Sequence, residues 1–150
     1  MTSAPLRIMV IEDDDLLREL VRLNLERRGR FTVVGEAEDG ATGIRLAGEL
    51  APDVILLDLL MPAMSGFEAL PILRKAAPTS RIIVLSMLWG VGQKVIDKGA
   101  DAFVDKGLEG DELEARIWQE CNAGPLTIMD LKAAATPAAP TSKTLNAHAR

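Results

Sequence analysis

DVILLDLLMPAMSG, residues 53 to 66, carries a short apolar run straight into a carboxylate and then into loop chemistry. Val54, Ile55, Leu56 and Leu57 are continuously hydrophobic with β-branched members, the pattern of a parallel strand covered by helices on both faces. Asp58 falls at the carboxyl end of that strand, where open α/β sheets place their ligands. Pro62 stiffens the loop that follows, and Gly66 permits a tight approach to the next helix.

Outward from this stretch, apolar runs and helical patterns alternate five times. Strands are expected at Leu6 to Ile11, Phe31 to Ala37, Val54 to Leu57, Arg81 to Ser86 and Ala102 to Val104. Between and after them, helical patterns run from Leu16 towards Gly29, from Gly40 to Leu50, from Gly66 through Leu73, from Val91 to Lys98 and from Asp111 to Asn122. Leu16, Leu17, Leu20, Val21 and Leu25 give the first helix a wide apolar stripe. Pro71 is compatible with the third helix only near its first turn, where backbone N–H groups have no helical partner. Alternation of this kind predicts an α/β fold, a doubly wound, five-stranded parallel sheet of (βα)5 type.

Composition narrows the function classes. The chain has 150 residues, enough for one domain with a real core, and a formal net charge of −5, which disfavours a nucleic-acid surface. Membrane-span and secretory patterns are lacking, so a cytoplasmic protein without membrane attachment is expected. The single cysteine, Cys121, cannot staple the fold and reads as a half-buried thiol; the single histidine, His148, lies in the tail. After Gly124-Pro125 the chain becomes Ala/Pro/Thr-rich, so residues 1–124 are expected to form the domain and 125–150 a flexible C-terminal tail.

Chemistry-bearing residues gather at the carboxyl ends of the expected strands. They are Glu12 and Asp13 after the first, Asp58 after the third, Ser86 ending the fourth and Lys106 just beyond the fifth. Carboxylates crowded in one cleft repel each other unless a cation intervenes, and Mg²⁺, which takes oxygen ligands and keeps several waters, suits the set. Lys106 adds a fixed positive charge and Ser86 a hydroxyl able to hydrogen-bond an anion. Asp14 and Asp15 read instead as an acidic helix start.

The acidic pair Glu12-Asp13, the run Asp58-Leu-Leu-Met-Pro-Ala-Met-Ser-Gly66, the hydroxyl of Ser86, and Phe103 three residues before Lys106 together resemble the receiver domain of two-component response regulators, over roughly Leu6 to Ala123. The chain looks like a stand-alone, chemotaxis-regulator-like member. The resemblance implies a flavodoxin-like sheet in strand order 2-1-3-4-5. It also implies that Asp58 accepts a phosphoryl group from a histidine kinase or phosphotransfer protein, or from a small acyl phosphate. Asp13, Asp58 and the backbone carbonyl of Leu60 would hold Mg²⁺, with Glu12 acting through a metal-bound water. Ser86 would close on the phosphoryl oxygens and Phe103 turn inward behind it, reshaping a face read by a downstream protein or by a second copy of the chain. On this reading there is slow self-dephosphorylation but no separate substrate turnover. Leu60 and Leu88, two residues past Asp58 and Ser86, would flank the phosphoryl group without orienting a water.

The segment between Ser86 and Lys106 looks about two residues shorter than in the family. Either the fourth helix starts late, near Val91 or Gly92, or the loop is remodelled around Trp89, a candidate switch or partner-binding aromatic. Alternative readings are a scaffold that works without phosphorylation and the receiver fragment of a longer DNA-binding regulator. A phosphatase with an aspartyl nucleophile is disfavoured, because Leu60 stands where such enzymes commonly carry a second aspartate.

Overall fold

The computed structural model describes residues 3–108 and 110–122. Among these, strands and helices alternate without exception: β1 (Leu6–Ile11), α1 (Asp15–Glu26), β2 (Phe31–Ala37), α2 (Gly40–Leu50), β3 (Val54–Leu57), α3 (Gly66–Ala76), β4 (Arg81–Ser86), α4 (Gly92–Asp97), β5 (Ala102–Asp105) and α5 (Gly110–Asn122). All strand pairs are parallel and the order is β2-β1-β3-β4-β5, the flavodoxin-like arrangement. The expected boundary at 124, the tail 125–150 and His148 lie outside the described residues.

The two-residue period of a strand divides the core into two layers. Met9, Ile11, Ile55, Leu57, Ile82 and Val84 point to one face and pack with Ala47 of α2, Leu70 and Leu73 of α3, and Val95 of α4. Ile8, Val10, Val54, Leu56, Ile83 and Leu85 point to the other, against Val21 and Leu25 of α1 and Leu113 and Ile117 of α5. With both faces covered, the central strands carry consecutive apolar residues, Ile8 to Ile11 in β1, Val54 to Leu57 in β3 and Ile82 to Leu85 in β4, which is why β3 reads as an unbroken run.

Two long-range ionic ties hold the helices to this sheet. Glu114 on α5 is fully buried and receives both arms of the Arg30 guanidinium at 2.9 and 2.6 Å, while Arg30 also stacks on the Trp118 ring. At the far end of α3, Arg74 donates to the carbonyls of Ala77, Pro78, Ser80 and Gly99 and to the Asp101 carboxylate. Asp101 in turn accepts the Ile82 N–H, so the turn before β5 is tied to α3 and to the start of β4.

Three expectations need correction. Leu16 and Leu20 of α1 are exposed with Leu23; only Val21 and Leu25 are fully buried, since one helix face cannot bury so many large side chains at once. Pro71 lies inside α3, past its first turn, on an exposed position where the missing N–H costs one helical bond but the ring meets solvent. Leu88 packs into the core layer of α3 and α4 instead of flanking Asp58. Of the two alternatives for the segment after Ser86, the late helix start is the one observed: α4 is short and begins at Gly92, with Trp89 before it 63% exposed. No helix among the described residues is long and apolar enough to cross a membrane.

Candidate functional site

The parallel sheet delivers the ends of β1, β3, β4 and β5 to one rim, where a cavity of about 260 Å³ is lined by Glu12, Asp13, Asp58, Ser86 and Lys106 together with Asp14, Leu17, Leu60 and Met87. Register explains the convergence: Ile11 pairs with Leu57, Leu57 with Val84, and Ser86 with Asp105, so the residues just past each strand meet in space.

Asp58 is buried, and its N–H is paired to the Ile11 carbonyl at 3.1 Å, as if continuing β3 for one more residue. Its Oδ1 accepts a long bond, 3.4 Å, from the Leu60 N–H, and its Oδ2 lies 3.3 Å from the Lys106 ammonium. The loop beyond is shaped by Ala63, whose φ of 66° is left-handed, and closed by Gly66, whose N–H donates to the Leu59 carbonyl at 2.9 Å. A side chain at Gly66 would run into the Asp58 carbonyl oxygen and come within 2.7 Å of Leu59 Cα, so glycine here is what lets α3 start directly beneath the acid. Ser65 caps α3 through its Oγ and the Glu68 N–H.

Glu12 is the other buried carboxylate. Lys106 Nζ stands 2.7 Å from its Oε2, the Asp14 N–H donates to its Oε1 at 3.2 Å, and its own N–H reaches the Ala37 carbonyl at 3.0 Å. Burial lifts the Glu12 carboxyl above its ordinary pKa; the hydrogen bond from Lys106 opposes this and the charge of Asp58 reinforces it. For Lys106 burial acts to depress the pKa, but the hydrogen bond to Glu12 and the charges of Asp58 and Glu12 prevail and the ammonium is held above its ordinary value. Asp13 is the most open of the three acids, and among the described residues nothing hydrogen-bonds its carboxylate. Asp14 caps α1 by accepting the Leu17 N–H at 3.0 Å, as its place before the helix suggested.

Oxygens of Glu12, Asp13 and Asp58 all lie within 4.8 Å of one another. Three carboxylates against a single ammonium leave negative charge in excess, and an all-oxygen donor set of this kind fits a hard divalent cation. Ser86 is buried, with its Oγ accepting the Leu88 N–H at 3.2 Å, which leaves the hydroxyl proton to donate into the cavity. Phe103 is half-buried against the α3 and α4 layer, away from the cavity lining.

Sequence reasoning missed two participants. Met87, 67% exposed, lines the cavity where Leu88 was expected; the signal was the strand end itself, after which residues no longer alternate regularly. Arg18, on the second turn of α1, donates to the Glu12 backbone carbonyl at 2.6 Å. Cys121 is half-buried, as anticipated, and burial raises its thiol pKa to about 11, which leaves it unreactive at neutral pH.

A doubly wound sheet of this strand order with an acidic cluster and a lysine at its carboxyl rim is the architecture of a receiver, and the chain belongs to that family: residues 8–118 match the response regulator receiver domain. Among curated proteins it is 38% identical over 128 residues to the nitrate/nitrite response regulator NarL of Escherichia coli, a match covering 84% of this chain and 59% of NarL. It is 39% identical over 108 residues to a protein-glutamate methylesterase/protein-glutamine glutaminase of Maricaulis maris, covering 69% of this chain and 27% of that protein. The chain therefore spans only part of the length of these relatives. Among solved structures, the signal receiver domain of a NarL response regulator from Mycobacterium tuberculosis superposes with a TM-score of 0.75 at 29% identity, covering 81% of this chain and all of that one.

Proposed function

We propose that this receiver is a phosphorylation-driven switch whose acceptor is Asp58. One observation carries the reading: a buried carboxylate stands 3.3 Å from a lysine ammonium in a cavity that also holds two further acids and a buried hydroxyl. An Asp58 oxygen attacks the phosphorus of a phosphohistidine on a histidine kinase or phosphotransfer protein, or of a small acyl phosphate. The bond to the leaving group breaks, its electron pair stays with the departing nitrogen or oxygen, and the phosphoryl group remains on Asp58. Lys106 turns from the carboxylates to a phosphoryl oxygen, and the Ser86 hydroxyl donates to another.

Asp13, Asp58 and the Leu60 carbonyl would hold Mg²⁺, with Glu12 reached through a water; when bound, the ion neutralises charge on the transferring group. Output passes through the face of α4, β5 and α5, beside which Met87 and Trp89 are exposed, with the half-buried Phe103 turning inward on phosphorylation and the reshaped face meeting a protein partner or a second copy of the chain. The reading includes self-phosphorylation and slow self-dephosphorylation without turnover of a separate substrate. A cytoplasmic location beside the histidine kinase or phosphotransfer protein goes with this role, and the net charge of −5 argues against direct nucleic-acid contact.

The test is incubation with Mg²⁺ and an acyl phosphate or beryllofluoride, read by intact mass and by tryptophan fluorescence, with Asp58→Asn as control. The expected result is one phosphoryl adduct in the parent chain and none in the variant. Adduct at equal yield in both would move the acceptor elsewhere, and no adduct with any donor would favour a phosphorylation-independent scaffold.

A further inference from the structure

We propose that Arg18 is a positioning residue for the cation site: by gripping the Glu12 carbonyl it aims the Asp13 carboxylate and thereby sets divalent-cation affinity. The inference rests on the reading above that Glu12, Asp13 and Asp58 form such a site. Arg18 bridges three elements. Its Nη1 donates to the Glu12 carbonyl at 2.6 Å, its Nη2 to Asp15 Oδ1 at 2.6 Å, and its Nε lies 3.8 Å from Glu36 Oε1 at the end of β2.

The Glu12 carbonyl belongs to the planar peptide that joins Glu12 to Asp13, so holding its oxygen also holds the Asp13 nitrogen and limits where the Asp13 side chain can leave the backbone. The preceding peptide is fixed as well, because the Glu12 N–H is bonded to Ala37 at 3.0 Å. Glu12 and Asp58 are oriented through their own carboxylates by Lys106, Asp14 and Leu60. Among the described residues Asp13 has no such partner, so its aim depends on the backbone that Arg18 clamps.

Charge does not defeat this arrangement. A bare guanidinium beside a cation site would repel the ion, but Arg18 arrives with Asp15 and Glu36 against it, so its field towards the cavity is largely cancelled while its hydrogen bond to the carbonyl stays charge-assisted. The local sequence explains only the outer part of this, an i,i+3 pair of Asp15 with Arg18. The bond to Glu12 requires the tight turn between β1 and α1.

The experiment measures Mn²⁺ and Mg²⁺ affinity of the full chain by calorimetry, without any phosphoryl donor, for Arg18→Gln, Arg18→Lys and Asp15→Asn, alongside thermal midpoints in EDTA. Arg18→Gln is expected to raise the cation Kd about tenfold, the scale of losing a group that orients a ligand. Lysine can still donate one bond to the carbonyl and should restore most of the affinity, and Asp15→Asn, which keeps the carbonyl bond but uncovers part of the guanidinium charge, should raise Kd by less than Arg18→Gln does. An unchanged Kd in Arg18→Gln, or Kd values that simply follow the thermal midpoints across all variants, would overturn the proposal. The two readings separate cleanly: weakened cation binding in Arg18→Gln with no phosphoryl adduct on the parent chain sinks the acceptor role of Asp58 alone. A normal adduct in the parent together with unchanged cation binding in Arg18→Gln sinks the role of Arg18 alone.

Discussion

Lys106 leans on Glu12 more closely than on Asp58: its ammonium is 2.7 Å from the first carboxylate and 3.3 Å from the second. The acid that is not the proposed acceptor thus serves as the resting partner of the lysine, and the two Asp58 oxygens are left with only longer contacts, 3.3 Å to Lys106 and 3.4 Å to the Leu60 N–H. Glu12 holds a cation in store and meets the strain of burial in doing so.

That strain has a pH signature. The Glu12 carboxyl sits above its ordinary value of 4.5 in the folded chain, so between the unfolded and folded values the folded state binds more protons than the unfolded one. Stability from this group is therefore greatest in acid and falls as pH rises from 4.5 through the folded value. Glu12→Gln removes the loss, and in EDTA its stability relative to the parent should improve as pH rises above 4.5 and level off once pH passes the folded value, by urea denaturation. Parallel pH profiles for the two proteins would contradict the assignment. Lys106 acts only at the alkaline end: its raised pKa contributes stability that is complete below 10.5 and lost as pH climbs through the folded value.

Gly66→Ala should be costly out of proportion to one methyl group. The new carbon would meet the Asp58 carbonyl oxygen and Leu59 Cα, both backbone atoms that cannot swing away. A destabilisation of about 2–4 kcal/mol is expected, with slower phosphorylation because the Asp58 loop must shift. Chemical denaturation and adduct-formation rates check it; a variant within about 0.5 kcal/mol of the parent would mean the loop moves freely.

Hydrolysis of the aspartyl phosphate should respond to Leu60 and not to Leu88. Leu60 lines the cavity and is 59% exposed, whereas Leu88 is packed into the core layer. Leu60→Asn is expected to shorten the adduct lifetime several-fold by admitting and orienting a water. Leu88→Asn should act mainly on stability, since it places an amide in apolar surroundings. Adduct decay followed by mass would reveal the reverse ranking if the loop were arranged otherwise.

The Arg30–Glu114 pair offers a double-substitution cycle. Arg30→Met strands a fully buried Glu114 with only Arg28, 3.7 Å away, and should cost about 2–3 kcal/mol. Arg30→Met combined with Glu114→Leu should recover most of that, because the uncompensated charge leaves with its partner. Strictly additive effects in urea denaturation would show that the two side chains act independently.

The central strands and the site acids were readable because each is announced locally. Val54–Leu57 is apolar throughout since both faces of β3 are covered, and Asp58, Glu12 and Lys106 follow directly on strand ends. Helix α1 was read less well: its leucines recur at helical spacing, yet Leu16, Leu20 and Leu23 stay exposed, because periodicity shows where a face is and not how wide the neighbouring layer is. Pro71 was misplaced for a related reason, since an exposed ring inside a helix costs little beyond one hydrogen bond.

Local pattern in the chain settled the alternation of strand and helix, the two-layered core and the set of carboxylates, because those depend on periods of two and of three to four residues and on which residue ends a strand. Assembly of the sheet settled the rest: which carboxylate Lys106 grips, that Met87 and not Leu88 meets the cavity, that Arg18 clamps the Asp13 peptide, and that Glu114 is buried beside an arginine 84 positions earlier. Those are distances between residues remote in the chain or turned about a tight loop, and no spacing rule encodes a distance until parallel strands and packed helices have set the register.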